Sequence, residues 1–453
     1  MSSVDITETR WAALHGVAVA RALSMFGTVV IIWALIFRER AEGPVAISAM
    51  FIAAGLPYIL FGPWVGWIAD RFSTRQLIPI VSLVQAGLTL IFIIDMPFWA
   101  VLVAIFGYNA IAAIESPAWQ ALLPRLATTT DLTRAYGFTQ GYFAAAQIGA
   151  PVAAGILVGA TGYVVPFLID AATFVLLAVA PFVLRVNRPG HQARVDHRES
   201  TIAGYRHLWA DPLLRANTIL LGAFILTIGV VNTGEIFLVM DILGANETTY
   251  GIIAALFSVG NLVGSAILGA RAIGPDWQPR GLVLSLWVVG TGILAIAISP
   301  SLWFVGVANA ITGIAHASLH ATANTMLQNR TPDAIRGRVN AAFTGFMTFG
   351  NLIATAFAGI ALGIFGTREV MVAGSVLALV ALVALQRAVW TADASRAMRV
   401  ARALEGGTLS VNSNSSVRFS TPFGGFKQSG IGRELSMTAM DHYSELKTVF
   451  WKS

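Results

Sequence analysis

Arg21, Asp170, Glu235, His316 and His320 are ionisable side chains that stand inside long apolar stretches of this chain. A charge held in hydrocarbon is costly, so an ionisable residue there is by default a candidate for handling a substrate, an ion or a proton. From residue type alone, Arg21 and the carboxylates Asp170 and Glu235 are expected to line a central cavity, one carboxylate binding a proton in alternation with substrate. Two other arrangements use the same groups: a fixed Arg21 to Asp170 ion pair, and carboxylates reaching the lipid headgroups. His316 and His320 are four apart and share a helix face, a spacing that can ligate zinc, line a cavity or bond across helices. No third ligand is evident near them, so no metal is expected. The amides Gln140, Gln147, Asn261, Asn309, Asn324 and Asn351 are open between lining a cavity and joining helices.

The elements carrying these groups are set by the solvent. Of 453 residues, 56% are apolar and only 11% charged, against roughly 25% charged in a soluble globular protein, and the mean hydropathy is +0.72. Apolar runs near 12–37, 44–69, 77–95, 98–115, 138–160, 163–185, 216–240, 249–270, 280–298, 301–326, 339–365 and 369–387 are each long enough to cross a bilayer as a helix. The expected fold is therefore an all-α membrane protein with twelve transmembrane helices. No cleavable signal peptide is expected, because the first run lacks a small-residue cleavage site and further runs follow at once. The absence of cysteine removes disulfides, thiolate metal sites and a cysteine nucleophile, and no cofactor is expected.

Alternate connections between these runs hold Arg71 and Arg75, then Arg125 and Arg134, then a group from Arg185 to Arg215, then Arg271 and Arg280, then Arg330, Arg336 and Arg338. The opposite connections hold only Arg38, Arg40 and Arg368. By the positive-inside rule, the arginine-rich side and both termini lie in the cytoplasm. The net charge of +6 thus reports topology, and a nucleic-acid partner is not expected. Connections such as Asp95–Pro97 on the other side leave no room for an ectodomain.

Asp131-Leu132-Thr133-Arg134 and Asp333-Ala334-Ile335-Arg336 stand six runs apart, each after an arginine-bearing helix end, and Phe138-Thr139 and Phe343-Thr344 follow them. This self-similarity indicates two pseudo-symmetric six-helix bundles. The division expected is 1–185 for the first bundle, 186–215 for a cytoplasmic linker, 216–387 for the second bundle and 388–453 for a short cytoplasmic tail.

Between the second and third runs stands Gly66-Trp67-Ile68-Ala69-Asp70-Arg71-Phe72-Ser73-Thr74-Arg75, which resembles the signature loop of the major facilitator superfamily. The departures are Ser73, where that family usually has glycine, and Thr74, where it often has a basic residue. The resemblance implies a latch between halves in which Gly66 permits close helix approach, Asp70 faces a helix N-terminus of the other half, and Arg71 and Arg75 meet carboxylates or lipid phosphates. Glu115–Pro124 and Pro332–Val339, the latter with Arg336 and Arg338, are similar to the branch of drug:proton antiporters and siderophore exporters. Gly149-Ala150-Pro151-Val152-Ala153-Ala154-Gly155 resembles the antiporter-associated Gly-Pro stretch, with Gly149, Pro151 and Gly155 expected to pack tightly and bend a rocking helix. The likeness covers residues 1 to about 387 and implies a secondary transporter. Its expected work is export of hydrophobic or amphipathic small molecules across the plasma membrane in exchange for protons. Siderophore or other metabolite export, import, or a non-transporting fusion or scaffold protein are the alternatives.

From about Ala388 the texture changes, and the chain's three lysines, Lys427, Lys447 and Lys452, appear. Arg402–Asn412 and Thr421–Glu434 closely resemble the C-terminal end of aldehyde dehydrogenases. That family's chemistry needs a cysteine nucleophile and a dinucleotide domain, and Gly430-Ile431-Gly432 completes no G-x-G-x-x-G fingerprint. The tail is therefore read as a non-catalytic fragment, the chain as no enzyme, and a dehydrogenase partner in trans is not expected.

Overall fold

A computed structural model describes residues 8–120, 122–128, 130–187, 198–270, 278–332 and 335–389. The described residues form helices and connecting turns, with no strand among them. The first half contains α1 (Trp11–Glu39), α2 (Pro44–Arg71), α3 (Thr74–Ile91), α4 (Phe98–Gln120), α5 (Leu132–Thr161) and α6 (Val164–Val183). A short α7 (Arg198–Ala210) leads to α8 (Pro212–Ile236), which continues as a π-helical turn over Phe237–Ile242. The second half is completed by α9 (Glu247–Ala270), α10 (Gln278–Ala297), α11 (Leu302–Asn329), α12 (Arg336–Phe365) and α13 (Thr367–Val389).

Among the described residues, eleven helices are long and apolar enough to cross a membrane. Each of the twelve expected spans falls on a long helix, and α13 is the one outside the eleven. The segment expected as a polar linker over 186–215 contains more helix than its composition suggested. Its α7 has 13 residues, too short to span at 1.5 Å per residue. Gly204 of α7 lies against the backbone carbonyl of Arg338, so α7 packs on the start of α12. His207 Nε2 lies 3.2 Å from the carbonyl of Arg330, and Arg330 pairs with Asp211 at 3.0 Å. The linker helix is thereby tied to the second half.

The two halves repeat their punctuation. Positive-φ glycines occur at Gly43 (φ 89°) before α2 and Gly244 (φ 72°) before α9, and again at Gly162 (φ 71°) after α5 and Gly366 (φ 91°) after α12. α2 and α9 are the second helices of their halves, and α5 and α12 the fifth. Left-handed backbone favours glycine because a Cβ would crowd the carbonyl, so the chain enters and leaves these helices alike in both halves. α5 and α12 are each 30 residues long.

Contacts between halves follow the same symmetry: α2 packs on α12 and α5 on α9, the second helix of each half against the fifth of the other, with α2 also meeting α8. A Cβ at Gly155 would collide with the carbonyl of Glu247, and one at Gly251 with that of Pro151, so α5 and α9 touch backbone to backbone. Gly359 of α12 likewise lies close to Ser48 and Pro44 of α2. The Ser48 hydroxyl also shares a 3.2 Å hydrogen bond with Thr233 of α8. Arg40, after α1, pairs with Asp241 at 3.1 Å. All these contacts lie towards the end of the bundle whose connections are poor in arginine. The three arginines of that end are engaged: Arg38 donates to the carbonyl of Phe92, Arg40 pairs with Asp241, and Arg368 donates to the carbonyl of Ser299.

The chain forms one compact unit over Met1–Val380 and a second over Ala381–Ser453. Apart from the last turns of α13, the second unit, and with it the dehydrogenase-like stretch, lies outside the described residues.

Candidate substrate cavity between the halves

A cavity of about 510 Å³ lies between the halves, beneath the sealed end. The first half lines it with mostly apolar groups: Val29, Ile32, Trp33 and Ile36 of α1, Phe51 of α2, and Gln147 and Pro151 of α5. The second half supplies most of the polar ones: Asn232 and Glu235 of α8, Tyr250 and Ser258 of α9, and Asn309, Thr312 and His316 of α11. The second half also lines it with apolar groups such as Ile228, Phe257 and Ile293, so a largely apolar space with its hydrogen-bonding groups gathered mostly on one side suits an amphipathic ligand.

Among the described residues, Glu235 is the one carboxylate that lines the cavity. It sits on the last turn of α8, and its Oε1 accepts a 2.6 Å hydrogen bond from Asn309 Nδ2 of α11. Tyr250 stands beside it on α9, buried, with its ring 5.2 Å from Trp33 and 5.7 Å from Phe37. These aromatic contacts join α1 of the first half to α9 of the second, and Trp33 and Tyr250 both line the cavity.

Of the other expected residues, His316 lines this cavity and His320 does not. Their rings are 4.4 Å apart, and Asn261 Nδ2 donates to His316 Nδ1 at 2.9 Å. No group of three or more metal-ligating side chains occurs among the described residues.

Asp170 is placed away from the cavity, in the seam of α1, α3 and α6. Its Oδ2 accepts a 2.9 Å hydrogen bond from Thr89 of α3, and its Oδ1 packs where Gly27 of α1 leaves room. Among the described residues Oδ1 has no hydrogen-bond partner. Arg21 likewise stays within the first half. Its guanidinium lies 4.8 Å from the ring of Phe143 and 6.0 Å from that of Trp119, a cation–π setting. The carboxylate that acts on it is Glu115 of α4. By hydropathy the fourth apolar run ends at Glu115, whereas α4 continues to Gln120, which brings that carboxylate inside the helix. Pro117 falls within the added turn, and Ala118 and Trp119 beyond it are buried, so packing of those two side chains holds the helix past the point where polarity alone would end it.

In the signature loop, Ser73 caps α3 through a capping box with Gln76, a role glycine could not fill. Arg75 Nε donates to the carbonyl of Val186 at 3.2 Å, joining the start of α3 to the end of α6 within one half. Arg71, Arg336 and Arg338 are exposed at the arginine-rich end. Gly66 and Asp70 fall on α2, but their side-chain surroundings lie outside the described residues. Pro151 is inside α5, which continues through it, and a Cβ at Gly149 would meet Phe26 of α1 at ordinary contact distance.

Two pseudo-symmetric bundles around a central cavity are the architecture of a multi-pass membrane transporter. The family description Major Facilitator Superfamily matches residues 14–240, half of the chain, and the protein belongs to that family. It is similar to macrolide efflux protein A of Streptococcus pyogenes, 22% identical over 70% of this chain and 82% of that one. The corresponding protein of Enterococcus faecalis is 23% identical over 66% of this chain and 95% of that one. Among solved structures, the nucleoside transporter NupG superposes with TM-score 0.68 at 13% identity, covering 83% of this chain and 98% of that one. A bacterial homologue of the lysosomal transporter Spinster, in an inward-facing state, gives 0.66 at 14% over 83% and 96%. At such identities these structures speak for the fold alone.

The description Aldehyde dehydrogenase family matches residues 381–449. Betaine aldehyde dehydrogenase of Rhizobium leguminosarum bv. trifolii is 56% identical over 66 residues, which span 15% of this chain and only 14% of that enzyme.

Proposed function

We propose that this transporter exports amphipathic small molecules from the cytoplasm by alternating access, in exchange for protons, with Glu235 as the cavity group that binds proton and substrate in turn. The observation carrying this reading is the one lining carboxylate among the described residues, held by Asn309 on the side of the cavity that carries most of its polar groups. An ionised carboxylate in a low-dielectric site is favourable only with a partner. Substrate and proton can each supply that compensation, so binding of one favours release of the other. The relatives named macrolide efflux proteins support the outward direction.

The positive-inside rule places the arginine-rich end and both termini in the cytoplasm. The sealed end then faces outside, which makes this arrangement an inward-facing state. Rocking of the halves would break the Ser48 to Thr233 bond and the α5 to α9 contact while the signature loop closes the cytoplasmic side. Asp170 and Arg21 belong in this reading to the packing of the first half, because neither lines the cavity. The reading assigns the tail no step in transport, and a chain without cysteine lacks the thiol nucleophile that the resemblance to aldehyde dehydrogenases implies. Efflux of a macrolide or a cationic dye from energised cells tests the reading. Efflux stopped by a protonophore and by Glu235→Gln is expected; efflux that persists through both would overturn it.

A further inference from the structure

A second cavity, of about 110 Å³, lies inside the first half between α1, α2 and α4. Leu35, Met50, Ala54 and Ile105 form its walls. It shares Ile32, Ile36 and Phe51 with the large cavity, so the two spaces adjoin across the same side chains. The polar groups at its edge are already engaged: the Tyr108 hydroxyl with Thr28 at 3.0 Å, and Asn109 Nδ2 with the carbonyl of Ile105 at 2.8 Å. Those bonds leave an apolar space with no strong call for water.

We propose that this side pocket is a subsite for the aliphatic end of the transported molecule, while its hydrogen-bonding end stays at Glu235 and Asn309. The assignment rests on the function proposed above and adds the shape of its substrate. An apolar cavity of ~150 Å³ holds a benzene ring, so the smaller space here suits a compact alkyl group of about four or five carbons. Each methylene buried there strengthens binding about four-fold. Beyond that length the pocket is full, and further carbons gain little.

The test uses the full chain in lipid nanodiscs, with empty nanodiscs as the control for partitioning, and primary alkylamines from methyl to octyl as probes. Wild-type affinity is expected to climb about four-fold per carbon to butyl or pentyl and then level off. Ala54→Leu fills the pocket and is expected to weaken pentylamine more than ten-fold while leaving methylamine unchanged. Met50→Ala enlarges it and is expected to move the plateau to longer chains, a gain that a damaged fold would not give. A series without a plateau, or one that neither variant reshapes, overturns the subsite while dye efflux dependent on Glu235 leaves the transport reading standing. Loss of both amine binding and efflux in the wild type overturns the two together.

Discussion

Ser48 of α2 and Thr233 of α8 share a 3.2 Å hydrogen bond across 185 positions of sequence, joining the two halves two residues before Glu235 on the same helix. Both side chains are buried, so this bond is part of the contact between the halves, and the group proposed to bind the proton follows Thr233 about half a turn later on α8, towards the arginine-poor end. In the proposed cycle, one stretch of α8 would carry both the carboxylate and a contact between the halves.

Because the chain contains no cysteine, a single introduced thiol gives a clean report of accessibility. Asn232→Cys, in the cavity wall, is expected to react with a membrane-impermeant maleimide from the arginine-rich side and to be protected from the other. The wedge Gly359→Leu, which forces a side chain onto Ser48 and Pro44, is expected to reverse that preference. Equal labelling from the two sides before and after the change would contradict the assigned seal.

Removing the partner of the carboxylate tests the Glu235 environment separately. Asn309→Leu deletes a 2.6 Å hydrogen bond and leaves an acceptor without its donor at a cost of about 1–3 kcal/mol. Proton-driven efflux is expected to fall by ten-fold or more, with less loss in Asn309→Gln than in Asn309→Leu. Wild-type efflux in the leucine variant would remove Asn309 from the site.

The Arg40 to Asp241 pair is partly solvent-exposed, at 28% and 49% of the side chains, and such pairs contribute about 0–1 kcal/mol. Breaking it with Arg40→Ala is expected to shift the labelling ratio of Asn232→Cys by no more than about five-fold. The charge-reversed double variant Arg40→Asp with Asp241→Arg is expected to restore it. A complete loss of the inward-facing state on Arg40→Ala would show that the pair, and not the buried contacts, holds the seal.

Backbone contact between α5 and α9 leaves little tolerance. Gly155→Val is expected to destabilise the inward-facing state strongly, since its side chain meets the carbonyl of Glu247, whereas Gly149→Ala, against the ring edge of Phe26, is expected to be mild. Thermal unfolding in nanodiscs would rank the two; equal effects would mean that the close approach is relaxed in the membrane.

Much of this architecture was legible from hydropathy alone, because a ~30 Å apolar solvent forces helices of about 20 residues. The repeat was visible in the Asp-x-x-Arg loops, while its firmer sign, the glycines at 43, 162, 244 and 366, required backbone angles. Glu235 and His316 could be picked out as polar groups in apolar runs, and the structure puts both on the cavity wall. Asp170 was indistinguishable from them by that criterion, since an apolar run does not reveal which helix face turns towards α3 and which towards the cavity. Glu115 was hidden by an early end to its run. Asn309 was recognisable as an intramembrane amide, but its pairing with Glu235 spans 74 positions and has no local signal.

The most direct measurement is proton exchange on ligand binding. The purified full chain in nanodiscs, weakly buffered with a pH indicator, would be mixed with a cationic dye or a macrolide that it binds. Release of protons by the wild type, and binding without release by Glu235→Gln, is the expected result. Equal proton release from both proteins would contradict the assignment of Glu235 as the group shared by proton and substrate.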